Sequence, residues 1–350
     1  MMAGRDTNWG VAGGPARHVP VMLNEVVEAI APKDGGIYVD GTFGAGGYTR
    51  AFLDAALCTV LALDRDPRAT EAGAALAQAY PGRLILREGC FSDLRQHVGA
   101  AGLAAVDGVA LDIGVSSMQL ESAERGFSFM QDGPLDMRMG GSGPTAADMV
   151  NALAPAELAR VIRVLGEEPR AKTIAKAIAE ERVVEPIIRS GRLAEIVARA
   201  VGGRRGDRIH PATRTFQALR IYVNRELEEL AEGLFAAEEV LREGGRLAVV
   251  AFHSLEDRIV KRFVALATGR TAGPSRHLPQ RPVHGEPTFR ELFRGAKTPS
   301  EKEIEANPRA RSARLRGAVR TAAPARPASL EGLGVPGLAP PPQFQGDYLQ

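Results

Sequence analysis

The run Asp40-Gly41-Thr42-Phe43-Gly44-Ala45-Gly46-Gly47 lies between a short apolar segment, Ile37-Tyr38-Val39, and a helix-forming one, Tyr48 to Ala56. Strand, glycine-rich turn and helix in that order let backbone approach a ligand closely and leave free N–H groups at the helix start. A second apolar run, Thr59-Val60-Leu61-Ala62-Leu63, then delivers Asp64 at its carboxyl end. A carboxylate there can accept from both hydroxyls of a ribose. The pattern implies a nucleoside-like cofactor.

The spacing separates the candidates. A nicotinamide fingerprint needs a third glycine where this chain has Thr49. The turn also opens with an acid, Asp40, which would repel a pyrophosphate and attract the ammonium group of S-adenosylmethionine. Acid-x-x-x-Gly-x-Gly is the usual first motif of class I methyltransferases, and S-adenosylmethionine is the cofactor this reading favours.

The α/β rhythm continues downstream. A helix spans Pro67 to Tyr80, a third strand Arg83 to Leu86 ends near Phe91, and a fourth, Val106 to Ile113, carries Asp112. Alternation of this kind predicts a Rossmann-like, mostly parallel sheet with ligands at the strand carboxyl ends. Phe91 then packs on an adenine face or in the core. From Glu121 to Arg214 no strand is legible; helices over Pro155–Leu165, Pro169–Arg182 and Arg192–Val201 carry Leu158, Ile162, Leu165, Ile174 and Ile178 at helical spacing. A long helix to about Leu241, a fifth strand over Arg246–Phe252, a helix opened by Ser254 and a last strand over Leu315–Arg320 complete the sheet domain. The expected organisation is a flexible leader over 1–17, a discontinuous methyltransferase domain over 18–120 and 215–321, an all-helical substrate-recognition insertion over 121–214, and a disordered Pro/Ala/Gly-rich tail over 322–350.

With 44 basic against 42 acidic residues, no global field advertises nucleic acid. Local clusters do: Arg204, Arg205, Arg208 and Arg214, and the run from Arg309 to Arg316, each a phosphate-binding surface or a solvated face. No apolar run approaches the length of a membrane span. Cys58 and Cys90 lack metal-ligand spacing and read as reduced thiols, consistent with cytoplasm. No metal site is expected.

Further motifs occur in order: Leu63-Asp64-Arg65-Asp66-Pro67, Leu111-Asp112-Ile113-Gly114-Val115-Ser116-Ser117, Glu124-Arg125-Gly126-Phe127-Ser128-Phe129, Asp136-Met137-Arg138-Met139, His210-Pro211-Ala212-Thr213-Arg214-Thr215, Phe252-His253-Ser254-Leu255-Glu256-Asp257-Arg258 and Asn307-Pro308-Arg309-Ala310-Arg311-Ser312. Together with the first turn they closely resemble the bacterial 16S ribosomal RNA cytosine-N4 methyltransferases of the MraW family, from about His18 to Arg320. The resemblance implies cofactor contacts at Gly46, Gly47, Tyr48, Asp64, Phe91, Asp112 and Gln119. It also implies a cytidine in the decoding region of 16S ribosomal RNA as substrate, met within the small ribosomal subunit. Tyr48 stands where the family often has His, and Met118 where it commonly has Pro.

Cytosine N4 is a weak nucleophile because its lone pair is delocalised into the ring. An acceptor on the amino protons would localise it, and Asp112 occupies the place where many amino methyltransferases put an Asn or Asp followed by Pro-Pro-aromatic. Asp112 is therefore a catalytic acceptor or a cofactor ligand only. A flipped base needs a stacking partner; Phe127, Phe129 and Phe252 are candidates, each alternatively core, and His253 is a substrate contact or a backbone cap. An RNA cytosine-N4 methyltransferase, a methyltransferase of a small amine or another nucleic acid, and a non-catalytic RNA-binding assembly factor are the competing functions. The helical insertion and arginine clusters argue against a small substrate, and the intact cofactor motif against the third. Monomer and homodimer both remain open.

Overall fold

Residues 60–63 and 109–111 alternate between two cores, which shows how the sheet is buried. Leu61, Leu63, Val109, Leu111, Leu247 and Val249 join one apolar cluster, while Val60, Ala62, Ala110, Ala248 and Val250 join another on the opposite face. A sheet covered on both faces needs such nearly continuous apolar strands. The computed structural model describes residues 20–202, 210–270 and 285–343. Its strands are β1 (Ile37–Asp40), β2 (Thr59–Asp64), β3 (Leu84–Glu88), β4 (Val106–Asp112), β5 (Leu241–Ala251), β6 (Phe289–Glu291) and β7 (Arg314–Arg320).

They form one sheet in the order β3-β2-β1-β4-β5-β7-β6. The strands from β3 through β5 pair in parallel, and β7 runs antiparallel to β5 and β6. The order reverses between β1 and β4, and a crevice opens at the carboxyl ends there. This is the α/β class I methyltransferase sheet.

Between β4 and β5 the chain leaves the sheet. Helices Ala146–Ala152, Pro155–Leu165, Ala171–Val184, Ser190–Ala200 and Thr213–Asn224 pack together. Leu158, Ile162, Leu165, Ile174 and Ile178 are all buried in their core. The preceding loop is tied down by polar groups. Arg125 pairs with Asp66 at 2.6 Å and donates to the carbonyls of Arg138 and Met139, while Asn224 accepts from the Met139 N–H and donates to the Met137 carbonyl.

Several expectations need correction. The long helix to Leu241 is two helices, Thr213–Asn224 and Glu226–Val240, broken at Arg225 with φ 50°. The first of them packs on Pro155–Leu165, so the helical layer runs past residue 214 to Asn224. The Pro67–Tyr80 helix is likewise split, into Pro67–Ala72 and Ala74–Ala79. The helix after β5 starts at Ser254, and the residue before it, His253, caps it with Glu256.

The segment after Ala322 is the largest difference. Residues 322–343 are packed, not disordered: Leu333 is fully buried, and the Arg160 side chain donates to the Gly337 carbonyl. Arg326 forks onto the fully buried Glu238, with Nη2–Oε2 at 2.7 Å, and lies 4.8 Å from the Phe263 ring centroid. Composition misleads here because a few well-spaced anchors suffice to hold an otherwise irregular strap. The leader over 1–17 and residues 344–350 lie outside the described residues.

Candidate active site

A cavity of about 540 Å³ opens at the carboxyl ends of β1, β2, β4 and β5, a size suited to one small cofactor and part of a substrate. Its floor includes Asp40, Asp64, Asp112 and Phe252. The first turn forms one wall, and Arg220 and Glu226 stand at another.

Asp64 ends β2 with its carboxylate turned back onto the first turn. Oδ2 accepts from the Gly44 N–H at 2.7 Å and Oδ1 from the Asp66 N–H at 2.8 Å. Burial raises its pKa, and those two N–H groups offset part of the effect. Asp64 thus holds the turn shut and presents its remaining lone pairs to the cavity. We expect Asp64→Ala to weaken S-adenosylmethionine binding by about 1–3 kcal/mol, the cost of stranding hydroxyls and N–H groups together. Calorimetric titration checks this, and unchanged affinity would remove Asp64 from the site.

Asp40 has a different task from the one its spacing suggests. It is fully buried: Oδ2 accepts from the Thr49 hydroxyl at 2.7 Å and from the Thr49 N–H, and Oδ1 accepts from the Thr42 N–H. The carboxylate braces the turn instead of offering itself as a direct ammonium ligand. Gly46 caps the helix Gly47–Ala55 with φ 74°, and a Cβ there would come within 2.8 Å of Phe43 and Leu76. Gly46 therefore faces the packed side of the turn, whereas Gly44, Ala45, Gly47 and Tyr48 line the cavity. The Tyr48 ring is buried, stacks on Phe52 and donates its hydroxyl to the Val21 carbonyl, fastening the N-terminal segment over the turn.

Phe91 lines the cavity, half-buried beneath Gly233. Gln119 does too, but its side chain is engaged: Oε1 accepts from the Ser116 N–H and Nε2 donates to Asp66, so it shapes the loop through a capping box.

Asp112 differs from the other acids. Its N–H donates to the Thr42 hydroxyl, but its buried Oδ1 has no hydrogen-bond partner. Burial, then the neighbouring Asp40 and Glu256, push its pKa well above the usual carboxylate range. An orphaned buried acceptor facing a cavity is costly in the free protein and is satisfied by a ligand that brings a donor or a positive charge. S-adenosylmethionine meets that description at its sulfonium and ammonium, and Asp64 and Phe91 line the same cavity.

These acids give binding a pH dependence. Burial raises Asp40 to about 6 and lifts Asp64 and Asp112 in the same direction, and a cationic ligand beside them favours their ionised forms. Affinity for S-adenosylmethionine should therefore rise with pH through about 6, with protons released on binding. Titration in buffers of differing ionisation enthalpy reads the release, and proton uptake would contradict the assignment.

Of the three aromatic candidates, Phe252 lines the cavity. Phe127 is buried near the Arg125 guanidinium, and Phe129 packs against His210 and Phe216. His253 caps its helix, with Nε2 2.8 Å from Glu256 Oε1. Arg204, Arg205 and Arg208 lie outside the described residues. Arg214 leans on Glu167 and Glu168; Arg316 is locked onto Asp257 at 2.8 Å, which removes it from the phosphate-binding run. Arg309 sits at the cavity rim beside Ser117 and Glu121, with Arg311 and Arg314 exposed nearby.

Arg220 and Glu226 escape sequence reasoning because six residues do not place them together on one helix. The break at Arg225 brings them into a bidentate pair, and the only signal for it is the cluster of acids at Glu226, Glu228 and Glu229 that favours a new helix start. Among the described residues no group of three or more His, Cys, Asp or Glu side chains is placed to hold a metal ion, and no helix is long and apolar enough to cross a membrane.

Curated relatives align along nearly the whole chain. A protein from Parvibaculum lavamentivorans named ribosomal RNA small subunit methyltransferase H is 60% identical over 317 residues, 91% of this chain and 93% of the relative. One of the same name from Xanthobacter autotrophicus is 57% identical and spans 96% of each chain. One from Hyphomonas neptunium is 56% identical over 92% of this chain and 94% of its own. The model of the MraW methylase family matches residues 15–321, the same span that holds the sheet, the insertion and the cavity. The chain belongs to the MraW methylase family of S-adenosylmethionine-dependent methyltransferases.

Proposed function

We propose that this protein methylates ribosomal RNA of the small subunit, transferring a methyl group to the N4 amino group of a cytidine in the 16S decoding region within the small ribosomal subunit. The observation that carries the reading is the orphaned, buried Oδ1 of Asp112, in the wall of a cavity that Phe252 also lines and in a chain whose relatives are named ribosomal RNA small subunit methyltransferase H.

Bound S-adenosylmethionine supplies an electrophilic methyl group. The protein's own residues prepare the nucleophile. Asp112 accepts a hydrogen bond from the cytosine amino group and favours a lone pair directed out of the ring plane. As N4 forms its new bond it must lose a proton, and a carboxylate whose pKa burial has raised is suited to take it. Phe252 offers a ring face for the flipped base. The backbone of the first turn and Asp64 hold the cofactor, while Gln119 and Ser116 keep the loop beyond β4 in one conformation. The exposed Arg309, Arg311 and Arg314 at the rim provide guanidinium forks for phosphate.

Mass spectrometry of 16S ribosomal RNA from cells with and without this gene tests the proposal. Loss of an N4-methylated cytidine in the decoding region is the expected result, with restoration when purified protein and S-adenosylmethionine act on undermethylated small subunits. Unchanged modification in the deletion strain would sink it. Activity on naked RNA but not on particles would overturn the assembled-subunit part alone.

A further inference from the structure

Arg220 reaches the cavity from the insertion side, on the helix Thr213–Asn224, with a side chain only 15% exposed. Its Nε and Nη2 each donate to Glu226 at 2.8 Å, and Nη2 lies 3.8 Å from Glu256 Oε1. Burial works against its charge, but the two carboxylates outweigh burial and raise its pKa, so the guanidinium stays fully ionised. Glu256 is itself anchored, with Oε2 accepting from the N–H groups of Phe252 and His253. Burial would raise the Glu256 carboxyl, but His253, Arg220 and the Phe252 N–H hold it low. The clamp fixes one edge of the guanidinium and leaves Nη1 without a hydrogen bond among the described residues.

The electrostatic balance decides what Nη1 can receive. The guanidinium charge is already met by carboxylates at Glu226 and Glu256, so a further anion would be repelled by them as well as drawn to it. A neutral acceptor meets no such penalty and pairs well with a preorganised N–H. Glu256 also lies within electrostatic reach of Asp112, which puts the clamp and the acceptor on one side of the site. The backbone keeps a left-handed residue, Arg225 at φ 50°, to close this pair; local strain of that kind tends to collect at functional sites.

We propose that Arg220 reads the target base, its Nη1 donating to the cytosine ring nitrogen N3 while Asp112 accepts from the adjoining N4 amino group. Acceptor and donor side by side reproduce part of the face that guanine offers cytosine, so the pair selects cytosine over uracil, whose N3 carries a proton and whose C4 carries a carbonyl. This inference rests on the cytosine-N4 reading above.

The test compares wild-type protein with Arg220→Lys on small subunits carrying either cytidine or 3-deazacytidine at the methylated position. Lysine keeps the charge beside Glu226 but loses the fork. An Arg220→Met, Glu226→Gln double variant removes the pair without leaving Glu226 charged and unpaired, and the circular dichroism spectrum and thermal midpoint verify that each variant is folded. On cytidine, Arg220→Lys should lower kcat/KM by about 10- to 100-fold, the scale of one good base contact. On 3-deazacytidine, wild type and variant should converge, since the acceptor is gone for both. An equal loss on both substrates overturns the base-reading role in favour of a structural one. A matching loss of S-adenosylmethionine affinity overturns it in favour of a cofactor contact. If wild-type protein places no methyl on N4 of cytidine, the proposed function fails first, and that result is separate from the other two.

Discussion

Replacing Asp112 with alanine should lower the single-turnover rate on small subunits by at least about a hundredfold, roughly 2.7 kcal/mol, while S-adenosylmethionine affinity falls far less. An acceptor on the amino group helps most as N4 gains positive character during attack, so its benefit belongs to the transition state more than to either bound ligand. Asp112→Asn separates two contributions. Its carbonyl still accepts a hydrogen bond but cannot take a proton, so an asparagine as slow as alanine assigns the role to proton uptake. The same alanine should make the free protein more stable, because it deletes a buried carboxylate oxygen that has no partner. If saturating cofactor restores the rate, Asp112 is a cofactor ligand only, and the acceptor must be sought among the backbone carbonyls of Ile113 to Val115.

The second large effect lies far from the chemistry. Arg326→Ala should destabilise the protein by about 3 kcal/mol or more, because it takes the paired guanidinium away from Glu238 at full burial. The guanidinium also packs over Phe235 and Phe263, so part of the loss is apolar contact. Pairing Arg326→Met with Glu238→Gln removes the stranded charge and should recover most of the deficit. Urea denaturation measures both. A loss below about 1 kcal/mol for the single variant would mean that the strap detaches easily and lets water reach Glu238.

What was legible in the sequence was local. The glycine turn, the acids at the ends of β1, β2 and β4 and the apolar strands declare themselves, because their chemistry is complete within a few residues. What escaped depends on meetings across the chain. Nothing near Asp40 says that Thr49 occupies its carboxylate, and nothing near Arg316 says that Asp257 does. Arg220 and Glu226 meet only because the backbone breaks between them. The misread strap has the same cause: Arg326 and Leu333 are ordinary residues in a Pro- and Ala-rich stretch until Glu238 and the helical core are set beside them.

That strap also imposes an order on biosynthesis. Chains are made from the N-terminus, so Glu238 is translated before Arg326. Until then Glu238 lacks the guanidinium that pairs with it, and the Arg160 side chain of the insertion lacks its Gly337 partner. The stretch from Arg326 to Gly337 is thus the one that fastens the insertion to the sheet domain.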